Sequence, residues 1–307
     1  MIPAENPHLR AVLQALFVVF LWATSWVLIK WGLEDIPALT FAGLRYTLAF
    51  LCLLPVVYFS SGAQDRHTLA RKSWGRLVIL GLLLYTITQG AIFLALFYLP
   101  AVTVNLLWSF SSVVVALMGM VWLAERPTRF QWFGIWLAVL GAFIYFYPVT
   151  IPAGQLIGFL VAACGVIANA GAAILGREVN RTGAIHPLVV TAVSMGVGSI
   201  TLLGTGMVAQ GLPQISAQGW LIIAWLAIVN TAFAFALWNH TLRTLPAAES
   251  SIINGTMLIW IPVLAVLFLG ERVTEQEVLG LVVVGVGTLI VQLRQPEALA
   301  RLLKRRS

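Results

Sequence analysis

Long apolar stretches alternate with short polar segments along the whole chain. Each stretch is close to the ~20 residues that a helix needs to cross the hydrocarbon core of a bilayer. Prolines such as Pro37, Pro100 and Pro246 stand at or near their ends, where helices commonly start or stop. The pattern therefore predicts ten membrane-spanning helices, over residues 11–31, 38–59, 75–98, 101–124, 130–148, 154–176, 186–209, 218–244, 247–270 and 277–293.

The composition is that of a chain surrounded by lipid. Of its 307 residues, 60% are hydrophobic and 9% are charged, and the mean hydropathy is +0.95. Soluble domains carry about 25% charged residues. A soluble protein of this length could not bury so much apolar surface. We therefore predict an all-α integral membrane protein, for which the lipid bilayer is a partner.

The net charge of +7 indicates membrane orientation rather than nucleic-acid binding. Lys and Arg cluster in alternate connections and in the C-terminal tail, whereas the opposite connections contain only Lys30 and Arg272. Positive residues collect on the cytoplasmic side of membrane helices. Both termini are therefore expected in the cytoplasm, and no nucleic-acid partner is expected.

An internal repeat runs through the chain with a constant offset of 146 residues. Leu99-Pro100-Ala101 recurs as Leu245-Pro246-Ala247, and Glu125-Arg126 recurs as Glu271-Arg272. We infer a first repeat over 1–148, a second over 149–293 and a basic cytoplasmic tail over 294–307. Each repeat holds five helices, and because five is odd the second repeat would enter the membrane upside down. Such inverted repeats are common among secondary carriers.

The stretch "LWATSWVLIKWGLEDIPALTFAGLRYTLAFL", 21 to 51, resembles the opening of an EamA-type repeat of the drug/metabolite transporter superfamily. The shared marks are Trp22 in the middle of the first helix, Lys30 at its end, Pro37 before the second helix and Arg45 inside it. "LPA" followed by a helix that ends in "ER.T......G" is similar to the fourth-to-fifth helix junction of that family, and it occurs in both halves.

The resemblance covers about residues 11–293 and implies a ten-helix carrier of the bacterial inner membrane. Length, the two-repeat pattern and the density of Trp make the chain most similar to the YddG-type exporters of aromatic amino acids. Many relatives carry Trp-Gly where Trp22 is followed here by Ala23. The second repeat has Ala168 and Thr191 at the positions of Trp22 and Arg45. Substrate contacts are therefore expected to be asymmetric.

The sequence lacks the motifs of membrane enzymes and ATP-driven pumps. It has no HExxH zinc helix, no GxxxxGKS/T phosphate loop and no intramembrane pair of Asp residues. We therefore predict no catalytic residue, no metal site and no cofactor. The resemblance implies a small-molecule exporter, most of all for aromatic amino acids, that works by alternating access through a central cavity. Other amino acids, nucleosides or cationic drugs are alternative substrates, and a passive channel or a membrane enzyme is an alternative function.

Polar and aromatic side chains at mid-membrane depth are the candidate substrate contacts, because a polar group that faces lipid is costly. Each could instead link two helices or fill the core. A pocket of Trp, Tyr and amide side chains suits a flat apolar body with a polar head. The candidates are Trp22, Ser25, Trp26, Tyr85, Gln89, Asn105, Trp108, Asn169, Asn230, Trp238, Asn254 and Trp260.

Several charged and small residues allow more than one interpretation. Arg45 either snorkels to the outer surface, holds the first two helices together or meets a substrate carboxylate. His240 and Glu249 belong either to a structural ion-pair cluster or to a proton-coupling or gating site. Glycines in the fifth and tenth helices indicate close packing within the chain or, less directly, a homodimer contact. The repeated charged motif is interpreted as a turn in which Thr128 or Thr274 caps the next helix.

Overall fold

The architecture was obtained as a computed structural model, which describes residues 7–60, 71–122, 128–148, 152–181, 187–242 and 244–292. All regular structure in these ranges is helical, and ten helices have the length and composition to cross a membrane. The prediction of an all-α protein with ten transmembrane helices is confirmed. The predicted tail over 294–307 and the pair Glu125-Arg126 lie outside the described residues.

In chain order the helices are α1 (Pro7–Gly32), α2 (Ala38–Ser60), α3 (Arg71–Gly81, continued by Leu82–Thr88 and Gln89–Tyr98), α4 (Ala101–Ser109 and Ser111–Trp122), α5 (Arg129–Phe146), α6 (Leu156–Arg181), α7 (Pro187–Gln210), α8 (Ala217–Ala227, continued by Ile228–Phe233 and Ala234–Thr241), α9 (Ala247–Gly255 and Met257–Leu269) and α10 (Glu275–Gln292). A 3₁₀ turn, Ala153–Gln155, precedes α6.

Departures from regular α-helix occur at matching places in the two repeats. Helices α3 and α8 each contain a π-helical segment, Leu82–Thr88 and Ile228–Phe233, and the two segments begin 146 residues apart. Helices α4 and α9 are each interrupted at one residue, Phe110 and Thr256, which are also 146 residues apart. The offset found in the sequence therefore recurs in the backbone.

The chain forms two compact units, and each unit takes helices from both repeats. The first unit comprises Met1–Val27, Ala101–Pro152 and Ala234–Ser307, and so includes α4, α5, α9 and α10. The second comprises Leu28–Pro100 and Ala153–Phe233, and includes α2, α3, α6 and α7. The boundary between the repeats at 148/149 stays a prediction.

In the first unit, α5 and α10 pack closely along one another through glycines. A Cβ on Gly134 would lie 2.8 Å from the carbonyl oxygen of Gly287, and a Cβ on Gly280 would lie 2.8 Å from that of Gly141. Only glycine permits this approach of the two backbones. The helices run antiparallel, because the contacted residue falls from 287 to 280 as the position on α5 rises from 134 to 141. These glycines serve packing within the chain.

Both predicted threonine caps are confirmed. Thr128 Oγ1 accepts a hydrogen bond from the Gln131 N–H at 3.2 Å before α5, and Thr274 Oγ1 accepts one from the Glu277 N–H at 3.3 Å before α10. Each threonine thus satisfies an N–H group that has no partner within its own helix.

Glu271, in the second copy of the charged motif, caps a different helix. Its Oε1 accepts a hydrogen bond from the Ala101 N–H at 2.6 Å, and its Oε2 accepts one from the Val102 N–H at 3.0 Å. These are the first residues of α4, where a carboxylate is favoured by the free N–H groups and the helix dipole. The sequence predicted a turn at Glu271 but not this contact.

In the second unit, α2 and α7 also run antiparallel in close contact. Thr40 Oγ1 donates a hydrogen bond to the Gly211 carbonyl at 2.9 Å, and a Cβ on Gly196 would lie 2.8 Å from the Phe50 ring. The π segment of α3 packs against the same helix, α7. Helix α2 and this π segment hold Arg45, Tyr46, Tyr85 and Thr88, which are described below.

Candidate functional site

Three aromatic rings of the first unit form a cluster that joins α1 to the last segment of α8. The centroid of the Trp22 ring lies 5.2 Å from that of Trp238 and 5.3 Å from that of Phe235, with tilted ring planes. Trp22 and Trp238 are half-buried and Phe235 is exposed. The fold therefore brings together two predicted contact residues from helices that are far apart in the sequence. Phe235 was not predicted, because one more Phe in an apolar helix gives no distinguishing signal.

Ser25 and Trp26 lie beside this aromatic cluster in α1. Ser25 is buried, and its Oγ donates a hydrogen bond to the Trp22 carbonyl at 2.5 Å. Trp26 is buried as well, with 7% of its surface exposed. Because the Ser25 hydroxyl is satisfied within its own helix, the contact fits a structural role. A substrate role for either residue stays a prediction.

Helix α9 contacts α4 and α1 through two of the predicted residues. Asn105 is buried, and its Nδ2 lies 3.4 Å from the Met257 carbonyl oxygen. Trp260, 36% exposed, packs edge-on against Phe20 with ring centroids 5.3 Å apart. The Asn105 contact matches the interpretation as an interhelical link. The exposed part of the Trp260 side chain remains accessible to lipid or to a ligand.

Four further candidates are distinguished by burial. Trp108 in α4 and Asn169 in α6 are half-buried, whereas Asn254 in α9 is exposed. Asn230 lies in the π segment of α8 and is fully buried. The substrate roles of these four residues stay predictions.

In the second unit, Tyr85 and Gln89 of α3 both meet Tyr46 of α2. The Tyr46 hydroxyl donates a hydrogen bond to Gln89 Oε1 at 2.7 Å, and the rings of Tyr46 and Tyr85 lie 5.8 Å apart at 60°. Tyr85 is buried and Gln89 is half-buried. The sequence placed Tyr85 and Gln89 on one helix stripe. Tyr46 was missed, because its contacts with α3 depend on how the two helices pack.

Arg45 lies in the interior of the second unit. It is 5% exposed, and its Nε and one of its terminal nitrogens lie 3.3 Å and 3.2 Å from Thr231 Oγ1. The guanidinium carbon is 5.1 Å from the centroid of the Tyr46 ring and 6.0 Å from that of Phe93. The snorkelling interpretation is wrong, because Thr231 and the two rings hold the head group inside. Its hydrogen bonds also link α2 to α8 rather than to α1.

Glu249 pairs with a residue that the sequence did not indicate. Its Oε2 lies 2.7 Å from Nε2 of His8, so the first turn of α9 is joined to the start of α1. His240, near the end of α8, is exposed. The pair fits a structural ion-pair role for Glu249, with His8 as the partner. Proton coupling or gating by His240 and Glu249 stays a prediction.

The two units thus present two different polar-aromatic groups. The first offers the half-buried tryptophan pair Trp22 and Trp238, which can stack on a ring or attract an ammonium group. The second offers the Arg45 cluster, defined here as Arg45, Tyr46, Gln89 and Thr231, which combines a cation with hydroxyl and amide groups. Neither arrangement has the nucleophile–base geometry of an enzyme site.

Comparisons with known proteins agree with this description. A sequence model of the EamA-like transporter family matches residues 9–147 and, separately, 156–293. A "Probable amino-acid metabolite efflux pump" of Salmonella typhimurium is 27% identical over 295 residues, which cover 90% of this chain and 92% of that protein. The "Uncharacterized transporter YvbV" of Bacillus subtilis is 25% identical over 291 residues, which cover 91% of this chain and 90% of that protein. A solved crystal structure matches with a TM-score of 0.65 over 97% of this chain and 98% of its own, at 16% identity, which shows likeness of fold alone.

Proposed function

The chain belongs to the EamA-like transporter family, and on that premise we propose that it is a secondary transporter that exports small amphiphilic metabolites, above all aromatic amino acids. The family and the names of its relatives indicate a transporter rather than an enzyme. Two relatives carry the name of a probable amino-acid metabolite efflux pump, which supports an amino acid as cargo. Resemblance to the YddG-type exporters supports the aromatic specificity.

The observation that carries the aromatic preference is the half-buried pair of Trp22 and Trp238. Their rings are accessible enough to receive a ligand and close enough to form one apolar surface. Aromatic pairs contribute about 0.5–1.5 kcal/mol beyond the burial of their area. A substrate with an aromatic side chain would therefore gain more from this surface than a small polar amino acid such as threonine.

The proposed mechanism is alternating access, with two inverted repeats that surround a central cavity. The antiparallel directions of α5 and α10, and of α2 and α7, support the inversion, because each pair consists of equivalent helices from the two repeats. The proposal places the protein in the bacterial inner membrane with both termini in the cytoplasm, in accord with its charge distribution. A homodimer is not part of the proposal, because the glycines that suggested one contact each other within the chain.

Transport into proteoliposomes tests this function. The purified protein is reconstituted and the uptake of labelled Phe, Trp, Thr and a cationic dye is followed with and without a pH gradient. We expect saturable uptake of Phe and Trp, with Thr transported less well. Empty liposomes provide the control for leakage.

Three other results would each contradict a different part of the proposal. Movement of the dye without movement of any amino acid would replace the substrate class by cationic drugs. Flux that does not saturate and shows no counter-transport would indicate a passive channel. Equal transport rates for Phe and Thr would contradict the proposed aromatic preference but not the proposed transport of amino acids.

A further inference from the structure

Arg45 brings a positive charge into the second unit, where no described carboxylate neutralises it. Both of its hydrogen bonds to described residues end on the same atom, Thr231 Oγ1. A guanidinium remains charged inside proteins and offers five N–H donors, so most of these donors have no acceptor in the described part of the chain. Burial of a charge is costly unless a counter-charge and hydrogen bonds offset it. The described residues supply two hydrogen bonds and two aromatic rings but no counter-charge.

A purely structural role does not require this charge. The link between α2 and α8 consists of hydrogen bonds to one hydroxyl group. A neutral Gln could donate to that hydroxyl with a much smaller desolvation cost, since amides lose less than ions when they leave water. The charge is therefore explained better by an anion that binds here than by the contact with Thr231.

The surroundings of Arg45 also suit one class of anion. The rings of Tyr46 and Phe93 flank the guanidinium, and Tyr85 packs against Tyr46. Tyr46 is 5% exposed and Phe93 is 0% exposed, so these rings keep water away from the guanidinium and strengthen its attraction for a counter-charge. Thr88, one residue before Gln89, is 1% exposed, and its Oγ1 makes no hydrogen bond with the described residues. The region thus combines a cation, apolar faces and an unused hydroxyl group.

We propose that Arg45 binds the carboxylate of the transported metabolite, so that the Arg45 cluster is the subsite that selects carboxylate-bearing substrates. A carboxylate can accept two parallel N–H bonds from one guanidinium and supplies the missing counter-charge. Amines without a carboxylate meet a like charge and are disfavoured. This inference rests on the proposed export function and adds to it the group of the substrate that is recognised.

Competition for labelled Phe in proteoliposomes tests the subsite. Unlabelled Phe is the reference competitor. Phenylalaninamide and phenethylamine lack the carboxylate, and 3-phenylpropionate lacks the amine. We expect 3-phenylpropionate to compete, and the two amines to compete at least about tenfold more weakly than Phe, because hydrogen bonds to a charged group are lost. In Arg45→Gln, the KM for Phe should rise about tenfold or more, and the difference between Phe and phenylalaninamide should disappear.

Two variants separate recognition from structure. Thr86→Val removes a hydroxyl outside the Arg45 cluster that donates to the Gly198 carbonyl and links α3 to α7, so it should lower thermal stability while the discrimination against phenylalaninamide persists. Arg45→Lys keeps the charge but loses the planar pair of donors. It should therefore lower the affinity for Phe and leave the affinity for phenylalaninamide unchanged. If Arg45→Gln does not fold, the Arg45→Lys result decides.

The inference is overturned if phenylalaninamide competes as well as Phe in the unchanged protein, or if Arg45→Gln and Arg45→Lys lower the affinity for both equally. If the unchanged protein moves no amino acid, the proposed function fails separately. Thermal unfolding in detergent then tests the subsite without transport. The subsite is supported if 3-phenylpropionate raises the unfolding temperature, phenethylamine does not, and Arg45→Lys abolishes the rise. It is overturned if both compounds shift the unfolding temperature equally.

Discussion

The carboxylate of Glu271 shows how one side chain can fix the start of a distant helix. It binds two N–H groups at the first residues of α4, from a position 170 residues further along the chain. The first turn of a helix carries a partial positive charge, so the contact combines hydrogen bonding with charge attraction. Thr128 and Thr274 cap the helices that follow them and could be predicted from local sequence. Glu271 could not, because its partner is set by tertiary packing.

We expect Glu271→Gln to lower the free energy of unfolding by about 1–2 kcal/mol, since the amide keeps one acceptor but turns a donor toward the second N–H group. Glu275→Gln is the matched control, because Glu275 lies exposed in the first turn of α10. Thermal unfolding of the purified protein in detergent measures both. Equal losses of stability in the two variants would show that the cap contributes nothing specific.

At the scale of helices, the sequence predicted the number and approximate extent of the helices, which the lipid environment determines. It did not predict the irregular segments within them, which helix packing determines. All ten helices were predicted, because lipid requires each to be long, apolar and internally hydrogen-bonded. The π segments in α3 and α8 and the interruptions at Phe110 and Thr256 were not predicted. Neither π segment contains Gly or Pro, and a π turn arises where neighbouring helices favour an i→i+5 bond.

Close packing of α5 on α10 gives a prediction at this scale. Gly287→Ala places a Cβ 2.7 Å from the Gly134 carbonyl oxygen, where backbone cannot easily move. We expect it to lower the free energy of unfolding by about 1–3 kcal/mol.

Gly204→Ala in α7 is the control, because a Cβ there meets nothing within 4 Å. It should be neutral or stabilising by up to about 1 kcal/mol, since Ala favours helix over Gly. Thermal unfolding in detergent compares the two variants, and a loss of stability in Gly204→Ala as large as in Gly287→Ala would remove the packing argument.

At the scale of the whole molecule, the repeats of the sequence and the compact units of the fold divide the chain differently. The repeat was visible from motifs with one offset, and the family match occurs twice along the chain. The units were not predicted, because each combines segments from both repeats through contacts such as those between α5 and α10. Likewise, Trp22 was a candidate from its own helix, but its pairing with Trp238 depends on the tertiary fold.

The proposed inverted arrangement predicts opposite exposure of equivalent residues. Arg129 and Glu275 are the first residues of α5 and α10, are both exposed, and stand 146 residues apart. With Cys52 and Cys164 replaced by Ser, we expect Glu275→Cys to react with a membrane-impermeant maleimide in intact cells. Arg129→Cys should react only after the cells are permeabilised. Labelling of both in intact cells would mean that the repeats are parallel.

The contact between Glu271 and α4 also bears on how such a protein can be assembled from parts. The helix that is capped belongs to the first repeat and the carboxylate belongs to the second. A five-helix half with the sequence of the first repeat therefore depends on another chain to complete this helix end. If the two halves were encoded by separate genes, this helix end would stay uncapped until they associated, and fusion into one gene keeps the capping carboxylate in the same chain.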